Sequence, residues 1–528
     1  MISPDTREEA KERRDDSLRR KHLLHIGLLV MLISGLIYPV SVQAANSSSF
    51  DSVLIMYDSL GRGTKDEGNI EALKRLLAAF RVEVTVESID SYTVGSLSNY
   101  SKLIEVHNRS DFTEEDSNYL TDLRSYQGDV LYIGGIPRDK LVQLLGLRAQ
   151  AIEKVADFSI GPFVEKSIQL GTVFDTEQPG VQRYGALKLK DASYPYGIRK
   201  GPYAYVPFME KDTLSEIALS YVLKDWLRQE QESHYYLVFK EIYPFSDLQL
   251  LERMSDELYE AGIPFIISVH PVFSNTDYPA MKRYINSLKY IQSRNGTVLV
   301  ESPFVATIRD EGRDLNRQME HFIDVLAKEG IVPLGMGTEM FWTYDDYFAT
   351  EGMAFFDSVV LFPDTRSIHK AERNRSEAFS SSLYSVDRVY LQRYLSDDRP
   401  IDPLPMDTAF TYNFVQNEAE LDSLLDSLRN SWITFEDYKK GVHKVVTGSN
   451  ELGSERGSLV LNGVSLGIQA SHVETSSDYE YKQHEQKSFE TWFTVQNQFF
   501  IVVIFITLIL FSGFLIIGYR MYKRKFYK

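Results

Sequence analysis

No cysteine occurs among the 528 residues. That excludes disulfide staples, thiol nucleophiles and every cysteine-based zinc motif. A chain of this length buries enough surface to be stable without staples, so the absence is compatible with secretion from a bacterial cell. Histidine is scarce, at 10 residues, and apart from His22 and His25 no two stand three to five positions apart. A local pair of histidine metal ligands is thereby excluded from the body of the chain. There is no Gly-x-Ser-x-Gly elbow and no Walker loop, which argues against serine-hydrolase and nucleotide-hydrolase chemistry. Basic residues are outnumbered 57 to 74, for a net charge of -17. An acidic chain of this kind is not expected to bind nucleic acid.

Long apolar runs are confined to the two ends. Ile26 to Ile37 is uncharged, is preceded by Arg13, Arg14, Arg19, Arg20 and Lys21, and is followed by Val42-Gln43-Ala44. This is the layout of a secretory signal, so residues 1–44 are expected to be a signal peptide. Phe499 to Gly518 is uncharged and long enough for a membrane-spanning helix, which needs about 20 residues. Arg520, Lys523, Arg524, Lys525 and Lys528 follow it, and the positive-inside rule places that tail, 519–528, in the cytoplasm. The expectation is a bacterial membrane protein with one C-terminal transmembrane helix and the bulk of the chain extracellular. Residues 472–498 are polar and aperiodic, as in a stalk.

Between the ends, apolar periodicity predicts an α/β chain with several parts. Residues 45–149 alternate strand and helix, beginning with Ser52 to Tyr57 and a loop carrying Gly61, Gly63 and Gly68. They read as a flavodoxin-like or amidotransferase-like α/β domain with a structural or protein-binding role, since the glycine spacing is not that of a dinucleotide site. Residues 150–234 read as a β-rich insert and a connecting helix, and 441–471 as a small β appendage.

From 235 to 440 strands and helices alternate at the interval of parallel strands with crossover helices. Tyr236 to Phe239 leads into Lys240-Glu241, Ile263 to Val269 into His270, and Thr297 to Val300 into Glu301. Further strands are expected at Ile331 to Leu334 and Ser358 to Phe362, with Gly335 to Trp342 as a loop. In such folds the working residues lie just past the carboxyl ends of the strands. Tyr243, Phe245, Phe304, Phe341, Trp342, Tyr344 and Tyr347 also fall after strands, the last four beside Glu339, Asp345 and Asp346. Aromatic faces stack on sugar rings and carboxylates bind hydroxyl or amino groups.

The runs YLVFKEIYPFSD from Tyr236 and AGIPFIISVHPVF from Ala261, with WITFEDY from Trp432, resemble a bacterial domain of unknown function related to polysaccharide deacetylases, the NodB-homology superfamily. The resemblance implies a distorted (β/α) barrel. It also implies metal-dependent chemistry in active relatives, whose Asp-Asp pair is replaced here by Lys240-Glu241 and whose His-x-x-x-His pair by Glu301 to Val305. A divergent barrel lacking the metal-ligand motifs is expected, with no metal or other cofactor. Lys240, Glu241, His270, Glu301, Phe341, Trp342 and Tyr344 are the expected lining of a ligand cleft. Glu241, Glu301, Glu339 and Asp346 are the candidates for any remaining catalysis. The expected role is binding of a polysaccharide or amino-sugar glycan, in company with exopolysaccharide synthesis proteins. An active deacetylase or glycoside hydrolase using repurposed carboxylates, and a structural scaffold for envelope proteins, are the alternatives.

Overall fold

The computed structural model describes residues 51–109, 118–303, 315–364, 373–395, 402–431 and 433–467, with 511, 513, 516–518 and 520. The leader run, and most of the C-terminal apolar run, lie outside the described residues. Among those described, no helix is long and apolar enough to cross a membrane. The chain divides into two compact units, Met1–Ala470 and Ser471–Lys528, and the described strands all belong to the first.

Four apolar runs, β1 (Ser52–Tyr57), β2 (Glu83–Ser88), β3 (Lys102–His107) and β4 (Asp129–Gly134), pair in parallel in the order β2-β1-β3-β4. The unbroken stretch Val53 to Met56 is fully buried, as expected of a strand covered on both faces. The next segment supplies β5 (Arg148–Ile160), β6 (Phe163–Asp175), β7 (Gln182–Tyr184), β8 (Ala186–Lys188), β9 (Ser193–Tyr194), β10 (Gly197–Lys200) and β11 (Tyr203–Val206). β11 lies parallel to β4, so the sheet takes the 2-1-3-4-5 order of a doubly wound fold. β10 and β7 extend this sheet antiparallel, whereas β6-β5-β8-β9 form a sheet of their own.

A closed barrel of seven parallel strands follows: β12 (Tyr235–Ile242), β13 (Ile266–Val269), β14 (Thr297–Glu301), β15 (Pro333–Glu339), β16 (Ser358–Phe362), then, after β17 (Arg373–Ser376), β18 (Ser381–Val386) and β19 (Thr408–Asn413), which closes on β12. β17 is not in the barrel. It pairs antiparallel with β2 at the edge of the doubly wound sheet. An antiparallel four-stranded sheet, β20 (His443–Val446), β21 (Glu451–Glu455), β22 (Ser458–Leu461) and β23 (Val464–Ser465), completes the described fold.

Because the chain leaves the barrel between β16 and β18, the outer face of β18 needs another cover. The helix Asn69–Ala79, which also connects β1 to β2, supplies it. Its Lys74 donates to Asn374 of β17 at 2.7 Å, and the Arg75 guanidinium reaches the Ser385 carbonyl of β18 at 2.6 Å and Glu216 at 3.0 Å. Just past its carboxyl end, Arg81 lies 3.5 Å from Asp407, which precedes β19. The helix thus runs antiparallel to the barrel strands, as a crossover helix does, and one apolar core spans both sheets.

One boundary differs from the sequence expectation. Residues Gly335 to Glu339, read as loop, are the second half of β15, and Met340–Thr343 forms a 3-10 turn. Glycine disguised the strand, and glycine is needed there for lack of room. A Cβ on Gly335 would sit 2.5 Å from the Ser358 carbonyl oxygen, and one on Gly337 2.5 Å from Ser268 Oγ.

Candidate functional site

Parallel strands direct all their carboxyl ends to one rim of the barrel, and pairing decides which side chains lean over it. Glu339 pairs with Phe362, and Gly337 with Glu301 on one side and Val360 on the other. Paired residues of parallel strands share a face. A Cβ on Gly337 would meet Ser268 Oγ, from a strand two places away, and the Phe362 ring, so this shared face is the barrel interior. Glu301, Glu339 and Phe362 therefore point inward. Lys240 also turns in, with its ammonium 5.5 Å from the Phe362 ring centre.

The first half of the mouth is built by a bulge. Pairing of β12 with β13 steps from Phe239 opposite Ile267 to Ile242 opposite Val269, so Lys240-Glu241 contains one residue too many. Glu241 absorbs the excess at φ 62, a left-handed conformation that costs a residue with a Cβ about 1–2 kcal/mol. This turns its amide N–H onto Glu301 Oε2 at 2.9 Å, while Lys240 Nζ lies 2.9 Å from Glu241 Oε1. Glu301 Oε1 lies 3.2 Å from His270 Nε2, and both residues are buried. The Tyr243 ring stacks on His270 at 4.3 Å and 10°, and on its other neighbour, Phe245, at 4.8 Å and 13°. Phe245 is 83% exposed, so a ladder of three rings runs from solvent to the buried His270–Glu301 pair. Burial, helped by Glu301 and Glu241, pushes the Tyr243 phenol up to about 12.

The second half combines barrel and doubly wound sheet. Asp364, two residues beyond β16, accepts the Phe341 amide N–H at 3.1 Å. Glu339 stands on the adjacent strand end. The fully buried Lys74 arrives on the helix Asn69–Ala79 and lies 3.1 Å from the centre of the Tyr344 ring, a cation–π contact. The Tyr344 hydroxyl is buried with no hydrogen-bond partner among the described residues. Burial raises Asp364 to about 6, with the charges of Glu339 and Glu71 adding to the rise and the backbone N–H and Lys74 opposing it. Burial likewise lowers Lys74 to about 7, against the pull of Glu71 and Asp364.

Lys240, Glu241, His270 and Glu301, expected at strand ends, are thus brought together, and Glu339 faces the same mouth. Phe341 and Trp342 are buried at 3% and 1% exposure, with Trp342 stacked on Phe348 at 4.4 Å, so their faces are occupied by packing. Tyr344 is buried under Lys74. Asp345 caps the helix Asp346–Glu351 by accepting the amides of Tyr347 and Phe348, and Asp346 is exposed in its first turn. Phe304 and Trp432 lie outside the described residues. Asp364 and Lys74 were missed by the sequence reasoning. Asp364 carried a usable signal, since it follows a buried strand end, whereas Lys74 carried none. Among the described residues, no group of three or more histidine, aspartate or glutamate side chains is placed to hold a metal ion.

No family model matches the chain, and no curated protein matches it. Among solved structures it is weakly similar to a family 4 carbohydrate esterase from Bacillus anthracis, with 14% identity over 39% of this chain and 80% of that one, at a TM-score of 0.22. The Bc1960 peptidoglycan N-acetylglucosamine deacetylase gives 12% identity over 39% and 86%, at 0.23. An N-acetylneuraminic acid synthetase from Leptospira borgpetersenii serovar Hardjo-bovis gives 12% over 37% and 84%, at 0.19. Likenesses of this strength assign no activity to the barrel.

Proposed function

We propose that this chain is a membrane-tethered extracellular protein whose barrel mouth binds a polysaccharide or amino-sugar glycan, as an accessory to exopolysaccharide or cell-envelope polysaccharide production. The observation that carries the reading is the ring ladder Phe245–Tyr243–His270. An exposed aromatic face stacked on a second ring, beside Lys240 and Glu241, matches the apolar face and hydroxyl or amino edge of a sugar. The uncharged run before the basic tail supports the tether, and the leader supports export.

The donors of the first half do not suit a hydrolytic metal. Glu301 is engaged through both oxygens, by the Glu241 amide and by His270, and the Lys240 ammonium competes with any cation for Glu241. Binding to immobilised amino-sugar polymers by the full chain in detergent tests the proposal. Phe245→Ala should weaken binding about tenfold, the scale of one aromatic stack, and leave stability within about 0.5 kcal/mol because the side chain is exposed. Unaltered binding in this variant would mean that the ring ladder takes no part in holding the glycan.

A further inference from the structure

The doubly wound sheet is covered unequally on its two faces. On one, Val53, Ile55, Ile104, Val106, Leu131 and Ile133 all belong to the core shared with the barrel. On the other the core breaks in two. Leu54, Met56, Leu103 and Tyr119 form one apolar cluster, with Val130 packed against it, whereas Tyr132, Leu141, Leu145 and Tyr205 form another. Val130 and Tyr132 are alternate residues of β4 and so share a face, yet they fall on opposite sides of this break. The helices over this face are short, Asn118–Ser125 with 8 residues and Asp139–Leu145 with 7, and they leave a seam between them. A groove of about 420 Å³, its open side included, lies along the seam. Leu123 and Tyr126 wall it on one side, Leu141 and Leu144 on the other, and Tyr132 and Tyr203 form its floor.

Three charged side chains, Glu105, Arg138 and Lys140, also line this apolar trough. Two of them are matched to each other: Glu105 is buried and accepts the Arg138 guanidinium at 2.7 and 3.1 Å, with the Tyr119 hydroxyl at 2.8 Å. Beyond them His107 lies 3.3 Å from Asp58, and although burial lowers it, Asp58 and Glu105 raise it to about 9, so this pair is balanced too. Asp129, whose charge acts on Tyr126, is held by Arg228 at 3.0 Å. Lys140 is exposed and makes no ion pair or side-chain hydrogen bond with a described residue. The groove is therefore left with one unmatched positive charge, in a chain whose net charge is -17.

Apolar surface kept open to water is unfavourable, and ligand sites are apolar hollows of roughly 300–1,000 Å³ in which a few polar groups orient what enters. A protein partner would need about 800 Å² of contact on each side, more than a seam between two short helices offers. Flat tyrosine rings favour another ring over a flexible chain. We propose that this groove binds a small aromatic carboxylate, with its ring among the tyrosine and leucine side chains and its carboxylate against the Lys140 ammonium. The doubly wound sheet then carries a ligand site of its own, independent of glycan binding at the barrel mouth.

The test uses the full chain in lipid discs, because detergent would compete for an apolar groove, with empty discs as the baseline. The probes are naphthoate, the uncharged naphthalenemethanol and the flexible octanoate, followed by saturation-transfer NMR and calorimetric titration. Naphthoate should bind, and the alcohol and octanoate should each bind about tenfold more weakly. Lys140→Gln should weaken naphthoate about tenfold and leave the alcohol unchanged, whereas Lys140→Arg should keep most of the affinity. Leu144→Trp, which adds bulk to one wall from a partly exposed position, should weaken both naphthalene probes. Lys140 is exposed, so Lys140→Gln probes the site without disturbing the fold, and thermal unfolding checks the same for Leu144→Trp. Absence of naphthoate binding, or binding unchanged in Lys140→Gln, overturns the proposal. Octanoate binding as tightly as naphthoate overturns the assignment of an aromatic ligand, and undiminished binding in a folded Leu144→Trp overturns its location.

Discussion

The two halves of the barrel mouth solve the same problem differently. In the first, each buried or half-buried charge has an opposite or donating partner close by: Glu301 between the Glu241 amide and His270, Glu241 against Lys240. In the second, burial outruns pairing, so Asp364 is raised and Lys74 is lowered. The difference separates a half whose charges are paired from a half whose charges are set by burial. Balanced charges hold a surface in shape, whereas groups kept near their protonation midpoints can give and take protons.

The comparison breaks most directly at Glu301, which the first half is built around. Glu301→Ala should cost about 3 kcal/mol in chemical denaturation, because it leaves the Glu241 amide without its acceptor and removes the carboxylate beside His270 in a buried place. Glu301→Gln, which keeps an acceptor for the amide, should cost roughly half as much. A loss below about 1 kcal/mol for the alanine variant would mean that the bulge is held by packing alone.

A smaller effect, of opposite character, is expected at Lys74. Its folded value of about 7 lies below the ordinary 10.5, so between those pH values the unfolded chain carries more protons at this position. Stability therefore rises with pH across that window and is lost as pH falls through about 7. Asp364 acts the other way: raised from 3.8 to about 6, it contributes stability below about 3.8 that is lost as pH rises through 6. The wild type should gain about 2 kcal/mol between pH 7 and 9 from Lys74, and Lys74→Met should lose that slope while keeping the acid-side one. Equal slopes in the two proteins, measured by urea unfolding across pH, would show that the lysine is not held in a dry site.

The unequal halves also explain what the sequence could disclose. Lys240, Glu241, His270 and Glu301 were legible because each stands where an apolar run stops, and in a parallel barrel that position alone brings them to one rim. The β/α alternation announced the barrel for the same reason, local periodicity being enough to specify strand and helix. Trp342 and Phe341 followed the same rule but pack inward, since nothing local distinguishes an aromatic under a loop from one on top of it. β17, with the charged sequence Arg-Asn-Arg-Ser, has no apolar signal because it lies at a sheet edge. Lys74 was illegible for a stronger reason. It meets Asn374 across 300 positions of chain, and only the sharing of one helix by two sheets brings it to the mouth.

The mildest test addresses how the balanced half is made rather than what it contains. Glu241 holds its φ of 62 because the bulge demands it, and its backbone N–H, not its side chain, is what binds Glu301. Glycine adopts this conformation without strain and keeps the same N–H. Glu241→Gly should therefore gain up to about 1 kcal/mol from released strain, offset by up to about 1 kcal/mol for the half-exposed pair with Lys240, for a net change near zero. Glycan binding should nevertheless fall, since the carboxylate paired with Lys240 at the mouth is gone. If the variant instead unfolds more easily by over 1 kcal/mol, the Glu241 side chain belongs to the framework, and the ligand-facing part of this half shrinks to Lys240 and the ring ladder.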